Sequence, residues 1–86
     1  MQEIQQLRKS IDEVDEQILL LLSKRVEICR SIGAVKRKHG LPVKDMPREN
    51  DVYARVRKKA AELGLDAAWV ARIYQQIVNM CVAIQE

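Results

Sequence analysis

Phenylalanine is absent from this 86-residue sequence, and Tyr53, Trp69 and Tyr74 are its only aromatic residues. The stacking platforms on which single-strand and RNA binders lay successive bases are therefore missing. Cysteine is limited to Cys29 and Cys81, which form no CxxC motif and no Cys/His ligand pattern. Each falls on an apolar helical face, so both are expected to be reduced, buried thiols in a cytosolic protein, with no metal held between them. No basic-then-apolar leader opens the sequence. Its longest strictly apolar run, Ile18 to Leu22, is far too short to cross a bilayer. A cytoplasmic protein without membrane contact is the expectation. Also missing are a Ser/His/Asp set, a glycine-rich phosphate loop, internal repeats and low-complexity tracts.

What remains is charged and aliphatic. The net charge is +3 and the sequence pI is near 9.1. Such a balance fits a nucleic-acid binder or a holder of small anions, although most surface Lys and Arg residues are simply solvated. A chain of this size buries only about 60% of its unfolded surface. Residues 1–86 therefore read as one thin domain that gains from a partner.

No segment alternates with a period of two, and the expected fold class is all-α with three helices. Residues 3 to 38 hold no proline and only Gly33 as glycine, and their apolar period of about 3.5 argues a long first helix. It ends at "KRKHGLP", where basic residues meet the negative end of the helix dipole, Gly40 offers a C-cap and Pro42 follows. Asp45 is positioned to cap a second helix, with Pro47 inside its first turn and a stripe of Val52, Val56, Ala60 and Leu63. Gly64 stops it. Asp66 can cap a third helix, whose stripe is Val70, Ile73, Tyr74, Ile77, Cys81 and Ile84.

The first helix would run roughly 53 Å at 1.5 Å per residue, whereas a compact chain of this length has a radius of gyration near 12 Å. Most of its apolar seam would project past anything the other helices could cover. An intertwined or antiparallel homodimer is the simplest closed arrangement.

That seam reads Leu7, Ile11, Val14, Ile18, Leu21, Arg25, Ile28, Ile32, Val35. One arginine interrupts eight aliphatic residues. Arg25 and Lys36 are eleven residues apart, about 20° of rotation and ~16 Å of rise, with Cys29 and Ile32 between them. The spacing leaves room for a small anion. Stranding a buried arginine costs several kcal/mol, so either a carboxylate from another helix or a ligand must answer it, and spacing alone slightly favours the ion pair. Arg8 lies 17 residues before Arg25, roughly 25 Å along the axis. Only an antiparallel partner brings both onto one small molecule. Asp45, Arg48 and Glu49 share one face at the start of the second helix, either as a cap with an exposed charge cluster or as groups aimed at a polar ligand. Cys81 and Gln85 stand one turn apart beside Val78.

Together these segments resemble the all-helical class of chorismate mutases, from "LRKSIDEVDEQILLLLSKR" through "GAVKRKHGLPVKDMPRE" to "QQIVNMCVAIQ". The resemblance implies an isomerase of phenylalanine and tyrosine biosynthesis that rearranges chorismate to prephenate without cofactor or metal. It implies Arg25 and the partner subunit's Arg8 as carboxylate clamps, and Lys36 and Gln85 as donors to the ether oxygen. Glu49 and the backbone near Asp45 would hold the ring hydroxyl, with Arg48 on the ring side and Val78 and Ile32 excluding water. At Cys81 many relatives carry a serine that hydrogen-bonds a substrate carboxylate. A thiol is a weak donor, so looser binding or a space-filling role is expected there. Gln85 stands one residue from the end of the sequence, where helix fraying is expected to leave it poorly fixed until substrate orders it. An isochorismate-pyruvate lyase of the same fold is the near alternative; the Glu49 segment and Gln85 lean toward the mutase. A basic helical dimer that binds nucleic acid is a remote one, since it gives no reason for cations facing an apolar seam. A regulatory or scaffold role applies if the chain is normally fused to another pathway enzyme.

Overall fold

The computed structural model describes all 86 residues, Met1 to Glu86. Three helices make up the chain: α1 over Gln2–His39, α2 over Met46–Glu62 and α3 over Ala67–Gln85. Their ends follow local chemistry. Gly40 closes α1 in the left-handed conformation at φ 65°, a value that strains any residue with a Cβ. The amide of Leu41 then reaches back to the carbonyl of Lys36 at 2.8 Å. The Asp45 carboxylate accepts the amide hydrogen of Arg48 at 3.1 Å and caps α2. Asp66 does the same for α3 through the amide of Trp69 at 2.9 Å.

α3 packs on α2 along one flank and on α1 along the other, while α1 and α2 share no close backbone contact. Cys29 lies beside Cys81 and Gly33 beside Gln85, so α1 and α3 run in the same direction. The molecule measures 57 × 24 × 15 Å with a radius of gyration of 16.2 Å. That exceeds the ~12 Å of a compact chain of this length, as the seam argument requires. The first half of α1 is an arm with nothing packed against it. Leu7, Ile11, Val14, Ile18 and Leu21 remain between 49% and 65% exposed.

The buried set is small: Cys29, Gly33, Ala60, Ala71, Val78 and Gln85. Two stripe residues expected inside are outside, Leu63 at 63% and Ile73 at 57% exposure. In α3 the buried line is Ala71, Val78 and Gln85, spaced by seven, which turns Ile73 away from both neighbouring helices. Leu63 falls at the C-cap of α2, where the helix has already ended.

The largest departure from expectation is at the cysteines, which are joined by a disulfide rather than held as free thiols. The parallel crossing of α1 and α3 brings their Cα atoms to 5.5 Å, within the range that a disulfide spans. Linking residues 52 apart in sequence restricts the unfolded chain by about 4 kcal/mol in the chain-entropy view. For a fold with so small a core this is a substantial share of its stability. No helix is long and apolar enough to cross a membrane.

Removing the α3 cap tests how far local chemistry sets the fold. Asp66→Ala leaves the amide of Trp69 without its acceptor and is expected to destabilise the protein by about 1 kcal/mol, read as a lower urea midpoint at unchanged slope.

Candidate active site

Below the seam, α1 turns an alternating set of cations and aliphatic side chains toward α3 and the start of α2. There the three helices enclose a cavity of about 310 Å³, at the small end of the ~300–1,000 Å³ usual for small-molecule sites. Arg25, Cys29, Ile32 and Lys36 come from α1, Asp45, Arg48 and Glu49 from the start of α2, and Val78, Cys81 and Gln85 from α3. Seven of the eight residues singled out from the sequence therefore meet in one place. Arg8 is the exception. It sits exposed on the α1 arm, about 25 Å up the axis from Arg25.

The cations are not neutralised within the chain. The two salt bridges, Arg30–Glu27 and Lys59–Glu62, lie on exposed helix surface. Arg25 is half-buried, and its Nη1 donates only to Cys29 Sγ at 3.7 Å. Sulfur is a weak acceptor, so most of the guanidinium fork is uncommitted. No helix of this chain supplies the carboxylate partner that spacing alone favoured. Lys36 Nζ donates to the carbonyl of Val43 at 2.6 Å, which aims the ammonium while leaving two of its hydrogens free.

Two acceptors on the same cavity lack donors. Glu49 Oε2 and Gln85 Oε1 are both buried without a hydrogen-bond partner. Leaving such atoms unmade costs about 1–3 kcal/mol each, and a bound hydroxyl or amine would satisfy them. Asp45 spends one carboxylate oxygen on its cap, in keeping with a role for the backbone around it.

Gln85 departs from expectation. It is 5% exposed and helical rather than frayed. Arg37 Nη1 donates to its carbonyl at 3.1 Å, and its own Nε2 donates to Cys81 Sγ at 3.2 Å. The terminal amide torsion is two-fold, so a half-turn exchanges Oε1 and Nε2 and presents a donor where the orphaned oxygen now lies. Cys81 is part of the wall, but in a disulfide it carries no S–H and cannot donate to a carboxylate at all.

Sequence reasoning missed Arg37, which the dipole reading of the α1 terminus had absorbed. It also gave no role to Val43, which both lines the cavity and aims Lys36. Ile28, Val52 and Val82 complete the apolar lining.

Cations on an apolar floor, with unpaired acceptors beside them, define a helical site for a small molecule bearing both negative charge and hydroxyl groups. The comparisons narrow that class. The family model for chorismate mutase type II matches residues 7–86. A chorismate mutase of Methanocaldococcus jannaschii is 30% identical over 86 residues, covering all of this chain and 87% of that one. A bifunctional chorismate mutase/prephenate dehydratase of Aquifex aeolicus is 30% identical over 89 residues, and this chain spans 25% of its length. A solved structure of a conserved hypothetical protein from Pyrococcus furiosus superposes with a TM-score of 0.79 at 32% identity, covering 100% of this chain and 99% of that one. The chain belongs to the chorismate mutase type II family, all-helical isomerases that rearrange chorismate to prephenate.

Gly33 makes the position of Gln85 testable. A Cβ there would stand 3.1 Å from Gln85 Cα and 3.1 Å from its Cγ, so the α3 backbone must give way. Gly33→Ala is expected to shift Gln85 by a few tenths of an ångström and to lower chorismate turnover severalfold, since ~1 Å of misplacement in a site can cost ~10²-fold. Steady-state kinetics beside far-UV circular dichroism would separate this from loss of fold.

Proposed function

We propose that this cavity rearranges chorismate to prephenate within a homodimer, each site completed by Arg8 of the partner subunit. The observation that carries the reading is the coincidence, on one apolar wall, of cations without carboxylates and a buried Glu49 oxygen without a donor. Chorismate is complementary to both, with two carboxylates for the cations and a ring hydroxyl for Glu49.

The rearrangement is unimolecular, so the protein needs no nucleophile. It must fold the enolpyruvyl arm over the ring and hold it there, which removes rotational freedom before the barrier. Arg25 grips one carboxylate with its planar fork, and Arg8 of the partner subunit grips the substrate from across the interface. As the C–O bond breaks, negative charge grows on the ether oxygen. Lys36, already aimed by Val43, meets that charge together with the amide of Gln85. A donor that tightens only in the transition state raises the rate itself, by about 3–4 kcal/mol in a dry site. Ile32 and Val78 keep water out, and Arg48 supports the ring side.

The arm supports the dimer. Its aliphatic seam is exposed in the protomer, and residues 1–20 carry five acids against two bases, while the remainder carries thirteen bases against seven acids. An acidic arm laid antiparallel over the basic body of a second copy covers the seam and pairs opposite charges. It also carries Arg8 from the start of one α1 to the middle of the other.

The direct test is loss of chorismate with stoichiometric appearance of prephenate. Production of salicylate and pyruvate from isochorismate, with no prephenate from chorismate, would assign the lyase instead. Lys36→Ala is expected to lower kcat at least 10²-fold at unchanged helix content, and near-native turnover would remove Lys36 from the mechanism. Arg8→Ala and Arg25→Ala are each expected to be nearly inactive alone. Co-refolded, they are expected to recover about a quarter of native activity, since half of randomly paired dimers are mixed and each mixed dimer holds one intact site. Absence of recovery would argue against shared sites.

A further inference from the structure

The disulfide lies in the wall of the cavity, not at the far side of the fold. Cys29 and Cys81 both line it. Each sulfur also lies against a side chain that lines the cavity: Arg25 Nη1 is 3.7 Å from Cys29 Sγ, and the Gln85 amide packs on Cys81 Sγ at 3.2 Å, a contact it keeps whichever way its terminal amide is turned. The covalent link thus ties together the two helices that supply the opposing donors, Arg25 and Lys36 on α1 and Gln85 on α3. One turn beyond the link, Gly33 and Gln85 are already at closest approach, so the α1–α3 separation is fixed at two successive turns. Beside these, one hydrogen bond joins the two helices, from Arg37 Nη1 to the Gln85 carbonyl at 3.1 Å, and Ala71, Val78 and Gln85 are the only fully buried residues of α3.

We propose that the Cys29–Cys81 bond is a positioning element of the active site, and that its reduction slows the rearrangement without unfolding the protein. The inference rests on the functional reading above and adds sensitivity to thiol redox state. The chemistry is ordinary thiol–disulfide exchange. A dithiol such as dithiothreitol attacks one sulfur through its thiolate, the mixed disulfide is resolved by its second thiol, and the reductant leaves as a cyclic disulfide. Two electrons and two protons pass to the protein, the S–S bond breaks, and Cys29 and Cys81 become thiols. Exchange with oxidised glutathione reverses the step, releasing two molecules of glutathione. Without the link, the Gly33–Gln85 approach and the Arg37–Gln85 hydrogen bond remain but the turn that carries Arg25 and Cys29 is released from α3, and Gln85 and Arg25 no longer share one rigid frame.

The test compares oxidised wild type, wild type reduced by dithiothreitol, and the double variant Cys29→Ala/Cys81→Ala. Thiol titration reports the redox state, and circular dichroism reports helix content. At a temperature where all three are helical, kcat/KM for chorismate is expected to fall about tenfold on reduction and to return with oxidised glutathione. Most of the fall is expected in kcat, because Lys36 and Gln85 act on the transition state. The double variant is expected to sit at the reduced value and to ignore the reductant. Unchanged kcat and KM in folded, reduced protein would overturn the proposal. Unfolding of both the reduced wild type and the double variant under all assay conditions would also overturn it, leaving the bond as a staple of the fold. Oxidised protein with no mutase activity would strike the functional reading itself, whereas redox-independent activity would strike only this inference.

Discussion

The crossing of α1 and α3 is the constraint from which the site follows. Gly33 admits Gln85 to 3.1 Å from where a Cβ would stand, and the Cys29–Cys81 link lies one turn before it. Because the helices run in the same direction, this narrow contact sets Lys36 and Arg25 on one side of a cavity and Gln85 on the other. α2 enters through its first two turns, from Asp45 to Val52. Its cap at Asp45 fixes where Arg48 and Glu49 begin, so a local hydrogen bond at a helix start decides the geometry of the third wall.

One face of α1 serves two purposes in succession. Along the arm it is aliphatic and uncovered; past Leu21 the same register continues as Arg25, Cys29, Ile32 and Lys36 around the cavity. In the proposed dimer these two halves meet, since an antiparallel partner lays its arm beside the cationic half. The residue that breaks the hydrophobic pattern therefore marks the point where packing gives way to binding.

Much of this could be read from spacing because helix periodicity, capping residues and the glycine stops are local signals. The three helices, both aspartate caps and the left-handed Gly40 needed no knowledge of tertiary contacts. Seven residues that line the cavity were also legible, though chiefly through their resemblance to a family; spacing alone would have left Gln85 on the surface and Arg48 in an ordinary charge cluster. What stayed hidden depends on how helices rotate against each other. The disulfide joins residues 52 apart, and no feature of either neighbourhood reports the 5.5 Å approach. The turn of α3 that buries Ala71 and exposes Ile73 follows from flanking contact with two helices at once. Gln85, polar and near the end of the sequence, is buried because Gly33 lets it in and Arg37 accompanies its carbonyl.

A protomer this thin is a poor candidate for an enzyme that must build a nucleophile or hold a metal, since such machinery needs a rigid surrounding shell. A unimolecular rearrangement asks less. Its reactants are already one molecule, and the protein contributes restraint together with charge opposite to that which develops. Uncommitted cations over an apolar floor are costly in the empty state and are compensated when a dianion enters. The binding of substrate then supplies stability that the small core does not. By the same logic the mechanism places its demand on distances between helices rather than on any single reactive group. That is why a covalent link between α1 and α3, unremarkable in a larger protein, acquires a place in the chemistry here.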